Sequence, residues 1–261
     1  MSSIPRADPD LRVRLDACAP LVGTVLTLGD VALTELAAAP MDLVWVDLEH
    51  GALDVADVQR MAIACRAAET AILVRVPTSA ADRLAAILDV GIDGVVVPRI
   101  ESEAQAREAV ATLRYPPAGS RGYGPRRAGA YGRQPRTDSR LACLAQIETA
   151  AGVGAARDIA AVDGIDALVL GPADLSFDLG VALQLDAPDV RAAAAAVAVA
   201  AKDASKPLVV AGSQDVLIRL GLANGQASVL VCSVDVRVYA TALDRIADEA
   251  RTALTAARAP A

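Results

Sequence analysis

The sequence predicts an α/β fold, a (β/α)8 TIM barrel formed as a single domain over residues 1–261. Three observations lead to this prediction. Short β-branched and aliphatic runs alternate with longer segments of helical periodicity, which is typical of βαβ units around a parallel sheet. Eight such units fit the 261 residues. Apolar residues make up 54% of the chain and aromatic residues only 2%, a composition that suits strands buried on both faces.

The predicted strands are the apolar runs that end at a glycine, a proline or a charged residue. Most are rich in Val, Leu and Ile, and they are short, as buried parallel strands usually are. In chain order we predict strands at 21–27, 43–47, 71–75, 94–98, 142–147, 167–170, 207–211 and 228–231.

Capping residues and apolar periodicity mark the predicted helices. Asp30 is a candidate N-cap, Ser79 opens the helix that stops at Gly91, and Ser102 begins a capping-box pattern. The closing helix carries an apolar stripe that includes Leu243 and Ile246. The helices are predicted at 30–39, 54–68, 79–89, 102–113, from the fifth strand to 161, and at 189–203 and 236–257.

One long connection interrupts this alternation of strands and helices. Residues 114–139 are dense in Gly, Pro and Arg, and they are far more numerous than an ordinary helix-to-strand connection requires. Loops of this length are usually functional, and a solvated loop or a subunit contact is the alternative role of its arginines. These arginines are Arg121, Arg126, Arg127, Arg133 and Arg136.

Several classes of protein are disfavoured. A doubly wound sheet is the alternative fold, but no GxGxxG motif follows the first strand. The net charge of −7 argues against nucleic-acid binding. No segment has the length of a membrane span, and no apolar signal sequence begins the chain. Four scattered cysteines lack zinc spacing and are interpreted as core residues of a reduced protein, which we therefore expect to be cytoplasmic.

Polar residues follow the ends of several predicted strands. Because the carboxyl ends of barrel strands share one face, where barrel enzymes have their active sites, we expect these side chains to converge. His50 is the only histidine and is the candidate general base, although a lone histidine often serves only to cap a turn. The cluster consists of Asp47, Glu49 and His50 after the second strand, Arg75 after the third, Gln146 and Glu148 after the fifth, and Asp174 after the sixth.

Two of these carboxylates are candidate metal ligands. Glu148 and Asp174 follow neighbouring strands, and two carboxylates with open positions suit a hard divalent cation such as Mg²⁺ or Mn²⁺ better than zinc. The alternative is that each acid only opens a helix or caps a turn. The segment from Gly171 and Pro172 to Ala173 begins a short predicted helix, whose N–H groups form a natural cradle for an anion.

The remaining cluster residues indicate chemistry beside the carbonyl of a small oxoacid. The guanidinium of Arg75 suits a carboxylate or an enolate oxygen, and its alternative role is a salt bridge to Asp47 or Glu49. A Schiff-base mechanism is disfavoured, since the only lysines, Lys202 and Lys206, precede the seventh strand and lie at the opposite face.

A set of motifs in this order resembles the HpcH/HpaI aldolases, which are metal-dependent class II pyruvate aldolases. The motifs are VDLEHG, LVRVP, DVGIDGVVVPRIES, RYPPAGSRGYG, AQIET and GPADLS, and they span nearly the whole chain. The resemblance implies a phosphoenolpyruvate/pyruvate-type barrel whose closing helix is exchanged between subunits of a homohexamer, a trimer of dimers. It also implies a divalent cofactor, Mg²⁺, Mn²⁺ or Co²⁺.

The same resemblance implies a role for each matching residue. Glu148 and Asp174 would bind the metal, which pyruvate would chelate, and the backbone at Ala173 and Asp174 would hold the pyruvate carboxylate. Arg75 would stabilise a metal-bound enolate and Gln146 would line the site. His50 would act as acid and base, paired with Asp47. Asp89 resembles an acid that the family presents to the histidine of a neighbouring subunit.

We therefore expect an aldolase that reversibly cleaves a 4-hydroxy-2-oxoacid to pyruvate, or a close 2-oxoacid analogue, and an aldehyde. The alternatives are an oxaloacetate decarboxylase or CoA-linked lyase with the same enolate chemistry, and a catalytically silent barrel that binds an oxoacid. The chain departs from the family at Leu48, at Phe177 and in the arginine-rich loop, where substrate choice is made. Some of the loop arginines are therefore candidates for recognising an acidic or polyhydroxylated aldehyde half.

Overall fold

The computed structural model describes residues 10–77, 81–133 and 140–256, and it confirms the predicted fold. Eight parallel strands form a closed barrel in sequence order, each paired with its neighbours and β8 paired with β1. The strands are β1 (Leu21–Leu26), β2 (Leu43–Asp47), β3 (Ala71–Arg75), β4 (Gly94–Val97), β5 (Ala142–Ile147), β6 (Ala167–Leu170), β7 (Leu208–Ala211) and β8 (Val229–Val234).

Helices follow the strands around the barrel. The predicted caps at Asp30 and Ser102 are present, and each accepts a hydrogen bond from a first-turn N–H group. Ser79, the predicted start of another helix, lies outside the described residues. The helices are α1 (Leu11–Asp16), α2 (Val31–Ala38), α3 (Val55–Ala67), α4 (Ala81–Asp89), α5 (Glu103–Leu113), α6 (Ala150–Ala160), α7 (Pro172–Asp178), α8 (Pro188–Asp203), α9 (Gln214–Leu220) and α10 (Asp235–Ala256).

The strands separate two hydrophobic cores, because successive side chains of a strand point to opposite faces. The larger core lies between the barrel and the helices and includes Val44, Val46 and Val74. The smaller core fills the barrel with inward residues such as Trp45 and Leu144. Because apolar side chains fill the barrel interior, a cluster of polar side chains can lie only at the ends of the barrel.

Helix α1 closes the amino end of the barrel, a feature that the sequence analysis did not predict. Its Leu11 and Leu15 belong to the interior core. Ion pairs fasten the helix to residues that immediately precede strands, with Arg12 Nε 2.8 Å from the Asp166 carboxylate and Arg14 Nη2 2.6 Å from the Asp42 carboxylate. Only the carboxyl end of the barrel is therefore left for a site.

The interpretation of all four cysteines as core residues is partly wrong. All four are free thiols. Cys65 and Cys143 are buried, and burial raises the pKa of each thiol to about 12. Cys232 is only partly buried, and Cys18 is exposed because it lies in the turn between α1 and β1. Among the described residues, no helix has the length and hydropathy needed to cross a membrane.

Candidate active site at the carboxyl end of the barrel

The predicted cluster occupies the carboxyl ends of neighbouring strands. Asp47 and Arg75 are the last residues of β2 and β3, and they are partners in the register between these strands. Gln146 faces the barrel interior near the end of β5, and Glu148 follows that strand directly. Asp174 lies in the first turn of α7, just beyond β6. The barrel thus brings together residues that lie as much as 127 positions apart in the sequence.

Arg75 is held by two carboxylates. Its Nε donates to Asp47 Oδ1 at 2.8 Å and its Nη2 to Asp47 Oδ2 at 2.6 Å, a bidentate arrangement, while Nη1 lies 3.0 Å from Glu49 Oε2. The salt bridges that were the alternative interpretation of Arg75 are therefore present. They leave N–H groups of the five-donor guanidinium available, so a fixed cation still faces the site.

The pKa values of the two carboxylates beside Arg75 are shifted in opposite directions. Burial alone would raise the pKa of Asp47, but the hydrogen bonds and charge of Arg75, together with the N–H group of Glu49, outweigh it and lower that pKa. Burial raises the pKa of Glu49, and the charges of Arg75 and His50 only partly offset the increase. Asp47 is therefore the permanent counter-ion of Arg75, and Glu49 is the carboxylate that changes its charge more readily.

His50 lies at the open edge of the cluster, and its predicted pairing with Asp47 is wrong in this structure. The side chain is 65% exposed, and its Nε2 lies 3.8 Å from Glu49 Oε2. The Asp47 carboxylate is already occupied by Arg75 and by the backbone N–H groups of Glu49 and His50. The acid beside the imidazole is therefore Glu49, which contacts both His50 and Arg75.

Glu148 is a carboxylate buried at the floor of the site, with only 3% of the residue exposed. Its Oε1 accepts a 3.0 Å hydrogen bond from the backbone N–H of Arg99, and Oε2 accepts one from Gln146 Nε2. Burial, followed by the negative charges of Asp174 and Glu49, raises the pKa of Glu148 to about 7. It does not cap α6, because Thr149 does so, and the helix-opening alternative is therefore wrong.

Gly171 and Gln146 surround the Glu148 carboxylate closely. A Cβ atom at position 171 would lie 2.7 Å from Glu148 Oε2 and 2.9 Å from Gln146 Nε2, so no side chain fits there without displacing these groups. Gln146 Oε1 is buried and has no hydrogen-bond partner among the described residues. A buried amide oxygen normally has a partner, which indicates a water or ligand at this position.

Helix α7 brings Asp174 and its first-turn N–H groups beside these residues. The helix begins with Pro172, and its first backbone bond runs from Leu175 N to Gly171 O at 3.1 Å. The N–H groups of Ala173 and Asp174 precede that bond and so have no acceptor within the helix. Asp174 is half-buried and close enough to Glu148 to raise its pKa. The arrangement fits the predicted anion cradle.

The donor set fits a hard divalent cation with a small number of protein ligands. Glu148 and Asp174 are mutually repelling carboxylates that a cation between them would neutralise. In the described ranges, no group of three or more His, Cys, Asp and Glu residues is placed to hold a metal ion. A cation here would take its other ligands from water and substrate, as Mg²⁺ commonly does.

The raised pKa of Glu148 predicts how the stability of the metal-free protein depends on pH. A carboxyl group whose folded-state pKa exceeds its ordinary value of 4.5 binds more protons in the folded state, so its contribution to stability is lost as pH rises from about 4.5 through about 7. In urea unfolding with EDTA, we expect the wild type to lose up to about 3 kcal/mol more than Glu148→Gln between pH 5 and pH 8. Mg²⁺ at pH 8 should restore this loss in the wild type alone. Equal pH dependence of both proteins would contradict this prediction.

Asp89 lies away from the cluster, at the carboxyl end of α4. Its Oδ1 is 3.4 Å from Arg121 Nη2, and Gly124 packs against its other carboxylate oxygen. Because helices of the barrel run back from the site, this helix end lies towards the amino face. Asp89 therefore cannot contact His50 of its own chain, and its predicted contact with a neighbouring subunit stays a prediction.

The arginine-rich loop packs beside the same helix end. Arg127 Nη1 donates to Val90 O at 3.0 Å and to Gly91 O at 3.3 Å, so this residue caps backbone carbonyls. A 3-10 helix, Arg127–Gly132, orders this part of the loop. Arg136 lies outside the described residues. Recognition of a substrate by Arg121 or Arg127 would therefore require the site of another chain.

Two features of the site were missed by sequence reasoning. The N–H group of Arg99 holds Glu148, and the only signal available was that Arg99 follows the fourth strand. Glu49 links Arg75 to His50, and its contact with His50 was not predicted from the sequence. Side-chain partners among several acids cannot be read from the order of strand ends, because all of them reach the same face.

Comparison with protein families gives a match over residues 29–249 to the family described as HpcH/HpaI aldolase/citrate lyase. The chain is 37% identical over 224 residues to a 2-dehydro-3,6-dideoxy-6-sulfogluconate aldolase of Pseudomonas putida, covering 82% of this chain and 86% of that protein. It is 33% identical over 202 residues to a hydroxypyruvate/pyruvate aldolase of Roseobacter denitrificans, covering 75% and 79%.

Comparison with solved structures also finds members of this family. An HpcH/HpaI aldolase/citrate lyase family protein from Burkholderia cenocepacia superposes with a TM-score of 0.87 at 31% identity, covering 94% of this chain and all of that one. A citrate lyase beta subunit from M. tuberculosis, complexed with oxaloacetate and magnesium, superposes with a TM-score of 0.57 at 25% identity, covering 84% and 93%.

Proposed function

The chain belongs to the HpcH/HpaI aldolase/citrate lyase family and is a carbon–carbon lyase, and from this premise we propose that it reversibly cleaves a 4-hydroxy-2-oxoacid into pyruvate, or a close 2-oxoacid analogue, and an aldehyde. The observation that carries the proposal is the buried Glu148 carboxylate beside Asp174, with a pKa raised to about 7. Two neighbouring carboxylates can hold a divalent cation, which together with the fixed guanidinium would stabilise the negative charge that develops on an oxoacid during cleavage.

Each residue of the site would have a separate role in the reaction. Arg75, fixed by Asp47 and Glu49, directs its remaining N–H groups at the oxygen on which negative charge develops. His50, exposed at the edge, removes the proton of the 4-hydroxyl group as the bond between the third and fourth carbons breaks and its electron pair passes to the enolate oxygen. Protonation of the third carbon then completes the methyl group of pyruvate, and the reverse reaction takes these steps backwards. The N–H groups of Ala173 and Asp174 hold the carboxylate of the oxoacid.

Glu148 and Asp174 would hold a divalent cation, for which we propose Mg²⁺, Mn²⁺ or Co²⁺. When bound, such a cation polarises the carbonyl and stabilises the enolate charge. Gln146 positions Glu148 through its Nε2, and its unpartnered Oε1 can accept from a water or a substrate hydroxyl. The magnesium found with the citrate lyase relative supports the choice of a hard cation.

Exchange of the methyl protons of pyruvate tests this function whatever the aldehyde is. The full-length protein is incubated with pyruvate in D₂O, and loss of the methyl signal is followed by NMR with EDTA, Mg²⁺, Mn²⁺ or Co²⁺. We expect exchange only with a divalent cation, because the proton becomes acidic only when the enolate is stabilised. Absence of exchange with every cation, and of aldol product with a panel of aldehydes, would reject the proposal.

Oxaloacetate decarboxylation is the second candidate function. It uses the same enolate chemistry, and one structural relative is complexed with oxaloacetate and magnesium. The two functions separate in one experiment, in which pyruvate release is measured from oxaloacetate and from hydroxy-oxoacids at equal concentrations. A larger kcat/KM for oxaloacetate would favour decarboxylation.

We further propose that copies of the chain associate through α10, as in a homohexamer with exchanged closing helices. Much of this helix is amphipathic and unpacked within the chain, with large apolar side chains exposed among charged ones. A contiguous apolar face of this kind usually belongs to an interface. The exposed residues are Val236, Val238, Tyr239, Leu243, Ile246 and Leu254.

A cytoplasmic location also stays a proposal, supported by the four free thiols.

The α10 proposal predicts the effect of a charge on this face. Ile246→Asp is expected to reduce the mass measured by light scattering at micromolar concentration, because a buried unpaired carboxylate is costly in an apolar interface. Arg245→Asp changes the adjacent exposed residue and should leave the mass unchanged. A wild-type protein that is already monomeric would refute the proposed assembly.

A further inference from the structure

A cavity lies outside the barrel, between α4 and α5. Its volume is about 490 Å³, within the range of small-molecule sites. Its walls are largely apolar and include Leu84 and Ala85 from α4 and Ala109 from α5. None of the cluster residues Asp47, His50, Arg75, Glu148 and Asp174 lines it, but Arg99 does, so the cavity borders the candidate active site from outside the barrel.

A buried arginine lines one end of this cavity. The side chain of Arg121 is 4% exposed, and its guanidinium lies over the ring of Tyr115 with its central carbon 4.6 Å from the ring centre. Its ion pair with Asp89 is long at 3.4 Å. Its Nε is buried and has no hydrogen-bond partner in the part of the chain that the structure describes.

Asp89 and the Tyr115 ring compensate this buried cation only in part, because the ion pair is long and the Arg121 Nε has no hydrogen-bond partner among the described residues. A buried charge is costly unless it is paired and its donors are satisfied, and removal from water strengthens its attraction to an anion. The cavity is also lined by the polar residues Gln105, Thr112 and Ser120 and by the charged Arg99 and Glu108, so the charged residues of its lining sum to one positive charge. The cavity is thus complementary to a molecule with one anionic end and an apolar body.

We propose that this cavity binds a small aliphatic carboxylate, with the carboxylate on Arg121 and the hydrocarbon chain along Leu84, Ala85 and Ala109. The site is additional to the oxoacid site and does not depend on the lyase activity. Ser120 supplies a hydroxyl group for the second carboxylate oxygen, whereas the Thr112 hydroxyl already donates to Ala109 O at 2.8 Å.

Hexanoate is the probe, titrated by calorimetry into the full-length protein with saturating pyruvate and Mg²⁺, so that the oxoacid site is filled. Neutral 1-hexanol has the same chain without the charge. We expect hexanoate to bind about 10- to 100-fold more tightly than 1-hexanol, since a hydrogen bond to a charged group contributes about 1.5–3 kcal/mol. Arg121→Gln should remove this difference.

A pair of variants keeps the test independent of Arg121, whose replacement also removes the contact with Asp89. Ala109→Trp fills the cavity and should weaken hexanoate binding at least about tenfold. Ala104→Trp adds the same ring at an exposed position of α5 outside the cavity and should change nothing. The proposal is overturned if hexanoate binds no better than 1-hexanol, if Ala109→Trp binds like Ala104→Trp, or if another copy of the chain fills the cavity and excludes hexanoate.

Discussion

The Glu148→Gln protein is expected to lose metal-dependent exchange of the pyruvate methyl protons by more than about 100-fold, since loss of outer partners of metal ligands alone costs about 10- to 100-fold. Glutamine keeps the shape of the side chain and a carbonyl oxygen for the Arg99 N–H group. The substitution removes the negative charge that would bind the cation. It also replaces the carboxylate that accepts from Gln146 Nε2 by a second amide group. The loss should appear equally in Mn²⁺ affinity, measured by electron paramagnetic resonance.

A matched control is available on the same face of the barrel. Glu101 follows β4 and is partly exposed; among the described residues its carboxylate pairs with the side chain of Arg99 at 3.8 Å, while its backbone N–H donates to Gln105 Oε1. Glu101→Gln should retain exchange and Mn²⁺ affinity within about twofold, as expected for a weak surface ion pair. Retention of both properties by Glu148→Gln would remove this residue from the metal site.

Gly171→Ala should damage the site nearly as severely, although it adds only one methyl group. The new Cβ would lie 2.7 Å from Glu148 Oε2, 2.9 Å from Gln146 Nε2 and 3.0 Å from Glu148 Cβ. Both neighbours are buried and hydrogen-bonded to each other, so they cannot move without breaking that contact. We expect Mn²⁺ affinity and the exchange rate to fall at least about tenfold, the lower bound for disturbing the partners of a ligand.

The control for this variant is Gly154→Ala in α6. Nothing lies within 4 Å of a Cβ at that position, and alanine is the better helix former by about 1 kcal/mol. This variant should therefore be slightly more stable in urea and fully active. If Gly171→Ala binds Mn²⁺ as tightly as Gly154→Ala, the close packing around Glu148 does not define the metal site.

The strands and the location of the site could be predicted from the sequence because both depend on local patterns. Buried parallel strands are continuous apolar runs, and those at 43–47, 71–75, 142–147 and 167–170 agree with the structure at both ends. The end of such a run is also the end of the strand, so the polar residues there must lie at one face. The predicted convergence of Asp47, Arg75 and Glu148 follows from this geometry.

The contacts within the site could not be predicted in the same way. The sequence placed Asp47, Glu49, His50 and Arg75 at one edge, but which acid meets which cation depends on side-chain reach and on register. Asp47 and Arg75 are register partners, and that pairing leaves Glu49 for His50. Helix α1 was missed for a different reason: six residues with two buried leucines form too short a pattern to recognise.

The hydrogen bond from the Arg99 N–H group to Glu148 has a consequence for how this enzyme can evolve. Every amino acid except proline supplies a backbone N–H group, so a mutation at position 99 can replace the side chain and keep the Glu148 contact. The φ of 53° at this position favours glycine and asparagine among the replacements and disfavours β-branched residues. Position 99 is thus a place where sequence drift or a mutant library can vary the rim of the active site while its floor is conserved.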